Sequence, residues 1–335
     1  MEGPGARDIV VIGASAGGVE ALKRVVSMLS ADVPASIFIV LHLPSEGRSL
    51  LPEILDRAAP ISVEHARHGE RFEQGTVYVG PPDHHLELDE ETIRLSRGPR
   101  ENGYRPAVDR LFTTAAHVHG QRTIGVILSG ALDDGTVGLS NVVAVGGAAI
   151  IQDPEEALYP GMPANAAAFV PDARILRLDE IASAIESFVR TPVHAPARPR
   201  LVPGDSSEPM LSDARLGTVS GLTCPECSGA LWETDENGIL RFRCRVGHAY
   251  TVESLVAAQG DSLEAALWTA LRALEERVAF AERLGRRFSA SGRQTTADRY
   301  RVKANEAREQ AEVIRQALGE LLPTQLPAVG VADHQ

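Results

Sequence analysis

Short runs of apolar, β-branched residues alternate with longer amphipathic segments through the first half of the chain. The run Ile9–Ile12 stops at Gly13, and after Gly17 and Gly18 the apolar residues recur at helical spacing. Strands are predicted at 9–12, 36–41, 76–79, 123–129, 148–152 and 175–178, and helices at 49–58, 104–119, 137–145, 163–169 and 181–189. This alternation predicts an α/β fold with a doubly wound, mostly parallel sheet covered on both faces.

The hydrophobic pattern changes after about residue 190. Residues 191–219 are rich in Pro, Ala, Ser and Asp without periodicity, which is typical of a flexible linker. Two alternating runs then flank a hairpin turn at Glu236–Gly238. We expect a first unit over 7–190, a linker over 191–219, a small β unit over 220–252, a helical hairpin over 253–322 and a frayed tail over 323–335.

Apolar residues at spacings of three and four mark both helices of the predicted hairpin, which is interrupted at 289–294. Such stripes form an internal seam, but docking on a partner or dimerisation stays open as an alternative.

Three candidate catalytic residues follow predicted strands. Ser15 lies in the turn after the first strand, His42 comes directly after the second, and Asp134 lies in the turn after the strand that begins at Thr123. Parallel strands bring their carboxyl ends to one edge of a sheet. A nucleophile, a base and an orienting carboxylate are the components of serine hydrolysis, whatever their order in the sequence.

Other interpretations of the first turn stay open at this point. A glycine-rich turn after a strand also binds dinucleotides, but G-A-S-A-G-G lacks the G-x-G-x-x-G spacing and no acidic residue ends the second strand. Ser15 is also suited to a simple helix cap, as is the Asp133-Asp134-Gly135 turn. His84 and His85 are expected in a loop without a specific role, and a position at the rim of the site or on its substrate side is the alternative.

Composition and net charge limit the classes of partner that the protein is expected to bind. The 335 residues carry a formal net charge of -12, which argues against a general nucleic-acid binder. There is no apolar run of 18 residues and no signal-like leader, so we expect a soluble, cytoplasmic protein without membrane insertion.

The cysteines indicate a metal site. Cys224 and Cys227 form one pair, and Cys244 with His248 forms a second, so that every cysteine of the chain is used. Three thiolates and an imidazole in this spacing favour one structural zinc with all four positions filled by protein, which predicts a zinc-ribbon-like unit over 220–252. Three reduced cysteines in a small β unit, or a redox pair, are the alternatives.

Six ordered motifs resemble one known family. They are IGASAGG, the histidine of LHLP, YVGPPDHHL, RPAVDRLF, SGALDDG and PGMPANAA. Over about residues 7–190 the chain resembles the catalytic domain of the CheB family of protein-glutamate methylesterases. The resemblance implies a Rossmann-like sheet and a Ser-His-Asp esterase without a catalytic cofactor. The family's nucleophile, base and aspartate fall on Ser15, His42 and Asp134, and the oxyanion donors on the backbone N–H groups of Ala16 and Ala131.

Two departures from the family pattern affect what the resemblance implies. The usual family chain begins with a receiver domain, whereas only about seven residues precede the first strand here, so we expect no control by an attached receiver. The family's turn commonly reads G-M-G-x-D-G, and here Ala131 stands in the place of the methionine. Asp133 occupies the variable place and is expected to be dispensable.

The resemblance also implies partners. It implies hydrolysis of glutamate γ-methyl esters on methyl-accepting chemoreceptors, with glutamine deamidation as a further activity. The C-terminal helices are expected to contact other chemosensory proteins. A signalling scaffold that keeps the fold without the reaction, and a dinucleotide-binding oxidoreductase, are the competing functions.

Overall fold

The computed structural model describes residues 5–43, 47, 49–193 and 217–321. The described residues up to Val256 cluster into one compact unit, and those from Ala257 onward into a second. The predicted tail at 323–335 and most of the predicted linker, residues 194–216, lie outside the described residues.

A seven-stranded sheet, parallel throughout, forms the centre of the first unit, in the order β10-β9-β8-β2-β3-β5-β4. The strands up to residue 193 are β1 Gly5–Ala6, β2 Ile9–Ala14, β3 Ser36–Leu41, β4 Ser62–His65, β5 Thr76–Val79, β6 His85–Leu88, β7 Ile93–Ser96, β8 Thr123–Ile127, β9 Ala148–Gln152, β10 Arg174–Leu176 and β11 Pro192–Val193. The helices are α1 Gly18–Ser27, α2 Leu51–Asp56, α3 Val108–His119, α4 Thr136–Ala144, α5 Gly161–Phe169 and α6 Leu178–Val189, with a 3-10 turn at Gly120–Arg122. The doubly wound α/β fold is confirmed.

The strands of the sheet centre are buried on both faces. In β2, Val10 and Ile12 belong to one apolar core, while Ile9 and Val11 belong to the core on the opposite face. Side chains alternate between the two faces of a strand, and helices cover both faces here, so the strand is a continuous apolar run.

Some local elements differ from the predictions. The strand β4 and the hairpin β6–β7 were not predicted, because their short runs mix apolar with charged residues. His85 lies in β6 and is buried, not in a loop, and its imidazole Nε2 lies 2.9 Å from the carbonyl oxygen of Pro99. The helix predicted from residue 104 begins at Val108. Inside the predicted linker, Pro192–Val193 pairs with β1.

The cysteine-bearing sheet consists of four antiparallel strands in sequential order. They are β12 Thr218–Thr223, β13 Ala230–Glu236, β14 Ile239–Cys244 and β15 Ala249–Thr251. The sequence predicted β13 and β14 but not the two outer strands. The turn between β13 and β14 holds Asn237 and Gly238, both with positive φ, as the hairpin prediction requires.

The last two helices are α7 Val252–Ala290 and α8 Gln294–Leu321, separated where the sequence predicted a break. In the second unit they pack through a narrow seam built on Leu271, Ala311 and Leu318. Ion pairs join the two helices between Arg308 and Glu282 and between Arg315 and Glu275. No helix in the described part of the chain combines the length and apolarity needed to cross a membrane.

Candidate functional site

The structure brings Ser15, His42 and Asp134 together at the carboxyl edge of the parallel sheet. Ser15 follows β2, His42 follows β3 and Asp134 lies beyond β8, and these three strands are neighbours in the sheet. The Ser15 Oγ lies 3.1 Å from Nδ1 of His42, and Nε2 of His42 lies 2.7 Å from Oδ2 of Asp134. A hydroxyl, an imidazole and a carboxylate therefore form one continuous chain of hydrogen bonds.

The partners of His42 determine where its proton resides. An ionised carboxylate only accepts hydrogen bonds, so the Nε2 atom that faces Asp134 carries the proton. Nδ1 is then the unprotonated nitrogen, and it accepts a hydrogen bond from the Ser15 hydroxyl. In this tautomer the imidazole is ready to take a proton from Ser15.

Asp134 is completely buried, yet its environment favours the charged carboxylate. Oδ2 accepts the backbone N–H of Val108 at 2.7 Å, and Oδ1 accepts that of Asp109 at 3.2 Å, at the amino-terminal end of α3. Burial by itself raises the pKa of Asp134, but the hydrogen bonds from His42, Val108 and Asn102 outweigh it and hold the pKa below the usual value. The positive end of the helix dipole acts in the same direction.

A second buried carboxyl, Asp109, lies beside Asp134. Burial and the negative charge of Asp134 raise the pKa of Asp109 well above its usual value. The Nδ2 group of Asn102 donates to both carboxyls, at 2.9 Å to Asp109 Oδ2 and 2.8 Å to Asp134 Oδ1. Two adjacent buried carboxyls are more stable with one negative charge than with two. The surrounding hydrogen-bond donors favour Asp134 as the ionised residue and Asp109 as the protonated one.

Two residues of the site were missed by the reasoning from sequence. The ring of Tyr104 stacks on the imidazole of His42, with 3.5 Å between ring centroids and 8° between planes. The side chain of His42 is only 3% exposed as a result of this cover and the surrounding turns. Asn102 is the second missed residue. Its Asn-Gly pair signals a turn, but nothing in the sequence links that turn to Asp134.

The turn that holds Ser15 depends on two glycines. Gly17 has φ of +71° and leads into α1, a conformation that residues with a Cβ rarely adopt. Gly130 lies so close to Ser15 that an added Cβ would be 2.9 Å from the Ser15 Cβ and 2.1 Å from the Met162 sulfur. The backbone N–H of Ser15 donates to the Ser129 carbonyl, which ties the two turns together.

The two expected oxyanion donors are the backbone amides of Ala16 and Ala131, which directly follow Ser15 and Gly130. Among the described residues, neither the Ala16 nor the Ala131 amide donates to another protein group, whereas the amides of Ser15 and Gly130 do. Leu132 has φ of +61°, at a place where the family turn has glycine. A leucine in the left-handed conformation is strained, so this turn carries local backbone strain next to the site.

The structure also brings together the four predicted metal ligands. The ligand atoms of Cys224, Cys227, Cys244 and His248 all lie within 4.8 Å of one another. Cys227 Sγ is 3.6 Å from Cys244 Sγ, and His248 Nδ1 is 3.5 Å from Cys244 Sγ and 3.7 Å from Cys224 Sγ. Ligands at about 2.3 Å for sulfur and about 2.0 Å for nitrogen in a tetrahedron are separated by about 3.5–3.8 Å. The four residues therefore fit a tetrahedral zinc.

A carboxylate supports the histidine of this cluster. His248 Nε2 lies 3.1 Å from Oε2 of Glu226, which leaves Nδ1 directed at the sulfur atoms. Histidines that bind metals commonly donate their second N–H to a carboxylate, which fixes the tautomer and the ring orientation.

The chain is similar to protein-glutamate methylesterases. A protein of Methanosarcina mazei named protein-glutamate methylesterase/protein-glutamine glutaminase 2 is 36% identical over 197 residues, which cover 55% of this chain and 52% of that protein. A relative from Anaeromyxobacter dehalogenans with the same name is 37% identical over 183 residues, covering 55% and 54%. The chain thus spans about half the length of these curated relatives. A shorter relative from Leptospira interrogans is 37% identical, and the match covers 94% of it.

A solved structure is similar to this chain over the same part of its length. The crystal structure of the Thermotoga maritima CheB methylesterase catalytic domain aligns with a TM-score of 0.53 and 33% identity, covering 56% of this chain and all of that one. The family model described as CheB methylesterase matches residues 10–185, which contain Ser15, His42 and Asp134. The chain therefore belongs to the CheB methylesterase family.

Proposed function

We propose that this protein is a serine-dependent protein-glutamate methylesterase. The observation that carries the proposal is the hydrogen-bonded chain from Ser15 through His42 to Asp134 at the carboxyl edge of the sheet. The names of the relatives support the reaction class, because they are called methylesterases and glutaminases. The substrate we propose is the γ-methyl ester of glutamate side chains on methyl-accepting chemoreceptors.

In the first step, the Ser15 oxygen attacks the ester carbonyl while Nδ1 of His42 takes the hydroxyl proton. Asp134 keeps the imidazole in the required tautomer and stabilises the imidazolium that forms. The amides of Ala16 and Ala131 hold the negative oxygen of the tetrahedral intermediate, each worth about 3 kcal/mol in the transition state. The C–O bond to the methoxy group breaks, and His42 returns the proton so that methanol leaves.

In the second step, water attacks the acyl-enzyme while His42 again takes a proton. The bond to Ser15 breaks, the Ser15 oxygen regains its proton from the imidazolium, and a glutamate side chain is released. A glutamine side chain can enter the same sequence, with ammonia leaving in place of methanol. We therefore include glutamine deamidation in the proposal.

We further propose that Cys224, Cys227, Cys244 and His248 hold one structural zinc. Their separations match a closed tetrahedral site, and Glu226 orients the imidazole. With four protein ligands there is no free position for substrate, so the metal stabilises the small sheet and does not contact the ester.

Methanol release from methylated receptor tests the reaction. We expect Ser15→Ala to lower the rate by at least about 10⁴-fold, because the nucleophile is lost while the fold is kept. Ser27→Ala is the matched control. Among the described residues, its hydroxyl bonds to the Arg24 carbonyl on α1 and to no group of the site, so the rate should be unchanged.

Two results would contradict the proposal. Retained methanol release by Ser15→Ala would remove Ser15 from the mechanism. A wild-type protein that binds receptor but releases neither methanol nor ammonia would instead support a scaffold that keeps the fold without the reaction.

A further inference from the structure

Asn102 lies between the catalytic carboxylate and the cysteine-bearing sheet. Its Nδ2 donates to Asp134 and Asp109, as described above, and its Oδ1 accepts the backbone N–H of Thr251 at 3.0 Å. The Thr251 hydroxyl also donates to Oδ1, at 3.3 Å. Asn102 is only 3% exposed, so every polar atom of its amide finds its partner within the protein.

The Thr251 backbone determines which way the Asn102 amide points. A backbone N–H is a donor only, so the amide oxygen must face Thr251 and the NH₂ group must face the two carboxyls. In the described part of the chain, both hydrogen bonds to the Asn102 oxygen come from Thr251. The orientation of a group that touches Asp134 is thus set by a residue of β15.

The connection is reinforced along the backbone. The N–H of Asn102 donates to the Ala249 carbonyl at 2.7 Å, and the N–H of Ala249 donates to the Arg100 carbonyl at 3.3 Å. Glu101 and Ala249 therefore form an isolated parallel bridge that joins this segment to β15. Next to it, the buried guanidinium of Arg241, on β14, pairs with the buried carboxylate of Glu101.

The predicted metal ligands lie on the turn that positions β15. Cys244 is the last residue of β14, and His248 directly precedes Ala249, the first residue of β15. A metal bound by both residues closes this turn, and the closed turn fixes where the Thr251 N–H lies. Beyond β15, Ser254 donates to the buried carboxylate of Asp133, the neighbour of Asp134.

We propose that the cysteine-bearing sheet is a positioning element of the active site, in which zinc holds β15, Thr251 orients Asn102, and Asn102 holds Asp134 against His42. The proposal rests on the esterase function above and adds a dependence of that function on the metal. Asn102 is a positioning residue, because it acts through Asp134 and does not reach the reacting atoms. Asp133, expected to be dispensable for chemistry, contributes to the same interface.

A double-mutant cycle tests this coupling. Asn102→Asp keeps the shape and tolerates the left-handed φ of +52° but replaces the donor with a carboxylate beside Asp134. Cys227→Ser weakens the zinc site at its exposed ligand. For each single variant we expect kcat to fall about 10- to 100-fold while KM stays within about 2-fold of the wild-type value. Losses of this size are usual when a residue that orients a functional side chain is replaced. The double variant should be no worse than the poorer single variant.

Two readouts do not depend on turnover. Zinc content, measured on the purified full chain, should be lost in Cys227→Ser and kept in Asn102→Asp. The downfield proton resonance of the imidazole N–H that is bonded to Asp134 should be present in wild type and weakened in both variants. Asn102→Gly, which also accepts a positive φ, is the second variant if Asn102→Asp folds poorly.

Asn237→Gly is the control for general loosening of the interface. Asn237 donates to Ser140 and Asn141 on α4, and among the described hydrogen bonds it has none to Asn102 or Thr251. We expect its kcat and its imidazole resonance to match wild type. An unchanged kcat in Asn102→Asp, or additive losses in the double variant, would overturn the proposal. If wild type hydrolyses no ester, the proposed function fails, while the imidazole resonance still reports whether zinc positions Asp134.

Discussion

The parallel sheet and the cysteine-bearing sheet are stabilised in different ways. The parallel sheet lies between two large apolar cores, and the residues of β2 and β3 are all buried. The cysteine-bearing sheet buries few large apolar side chains, among them Leu231, Phe242 and Tyr250, and it also buries Cys224 and Arg241. Burial of apolar surface is therefore the main source of stability in one sheet and a minor one in the other.

The difference explains how each sheet depends on its surroundings. A unit of about 35 residues rarely folds on its own hydrophobic core and commonly uses a metal or a partner surface. The cysteine-bearing sheet has a ligand cluster that fits a metal, and it contacts the segment that carries Asn102. Its ligand cluster ties its turns together, and Arg241 and Thr251 tie it to the segment that carries Asn102. The parallel sheet should survive loss of either support, whereas the smaller sheet should not.

Metal removal is expected to have the largest effect. Structural zinc sites in small peptides carry about 10–16 kcal/mol of apparent binding free energy at pH 7. Treatment with a strong chelator should therefore unfold residues 218–251 while β2 and β3 stay folded. Hydrogen exchange measured by peptide gives the comparison, and added zinc should restore protection. Unchanged protection of β13 and β14 in zinc-free protein would show that the metal is not what holds this sheet.

Replacement of Arg241 with methionine is expected to have the next largest effect. The change removes the nearer ion-pair partner of the buried Glu101 and leaves Arg110, whose Nη1 is 3.4 Å from Oε1 of Glu101, and the charge of Arg243. Breaking a buried ion pair in this way should lower the free energy of unfolding by about 3 kcal/mol. Arg315→Met, which breaks an exposed pair in the second unit, is the control and should cost less than about 1 kcal/mol.

The same variant changes the dependence of stability on pH. Burial alone raises the pKa of Glu101, but the charges of Arg241, Arg243 and Arg110 hold it well below its usual value. A depressed pKa stabilises the fold above the unfolded value of about 4.3, and this contribution is lost as the pH falls through the folded value. In denaturant titrations at each pH, the free energy of unfolding of wild type should therefore fall more between pH 5 and pH 3 than that of Arg241→Met. Equal losses would show that the pair does not depress the pKa of Glu101.

Substitution of Leu132 with glycine should have the smallest effect, and it should be a gain. Leu132 has φ of +61°, and glycine removes a steric cost of about 1 kcal/mol in this conformation. Thermal unfolding should move to higher temperature, and protection of the cysteine-bearing sheet should not change. A lower melting temperature would mean that the leucine side chain contributes more through packing than its backbone strain costs.

The sequence predicted those parts of the fold and site that depend on local pattern. Strands β2 and β3 are continuous apolar runs because both faces are covered, and the turns after them place Ser15 and His42 at one edge. The ligand spacing identified the cluster around Cys244. By contrast, β4 and β15 are short and mix apolar with polar residues, so their periodicity is weak. The link from Asn102 to Thr251 joins residues 149 positions apart and carries no local signal.

The central claim is that the Ser15 hydroxyl is activated by His42, and reaction with a fluorophosphonate tests it without any receptor. The account predicts a single covalent adduct, mapped by peptide mass spectrometry to Ser15, that forms at least about 10²-fold more slowly in His42→Gln. No adduct on Ser15, or an adduct that forms equally fast without the imidazole, would contradict it.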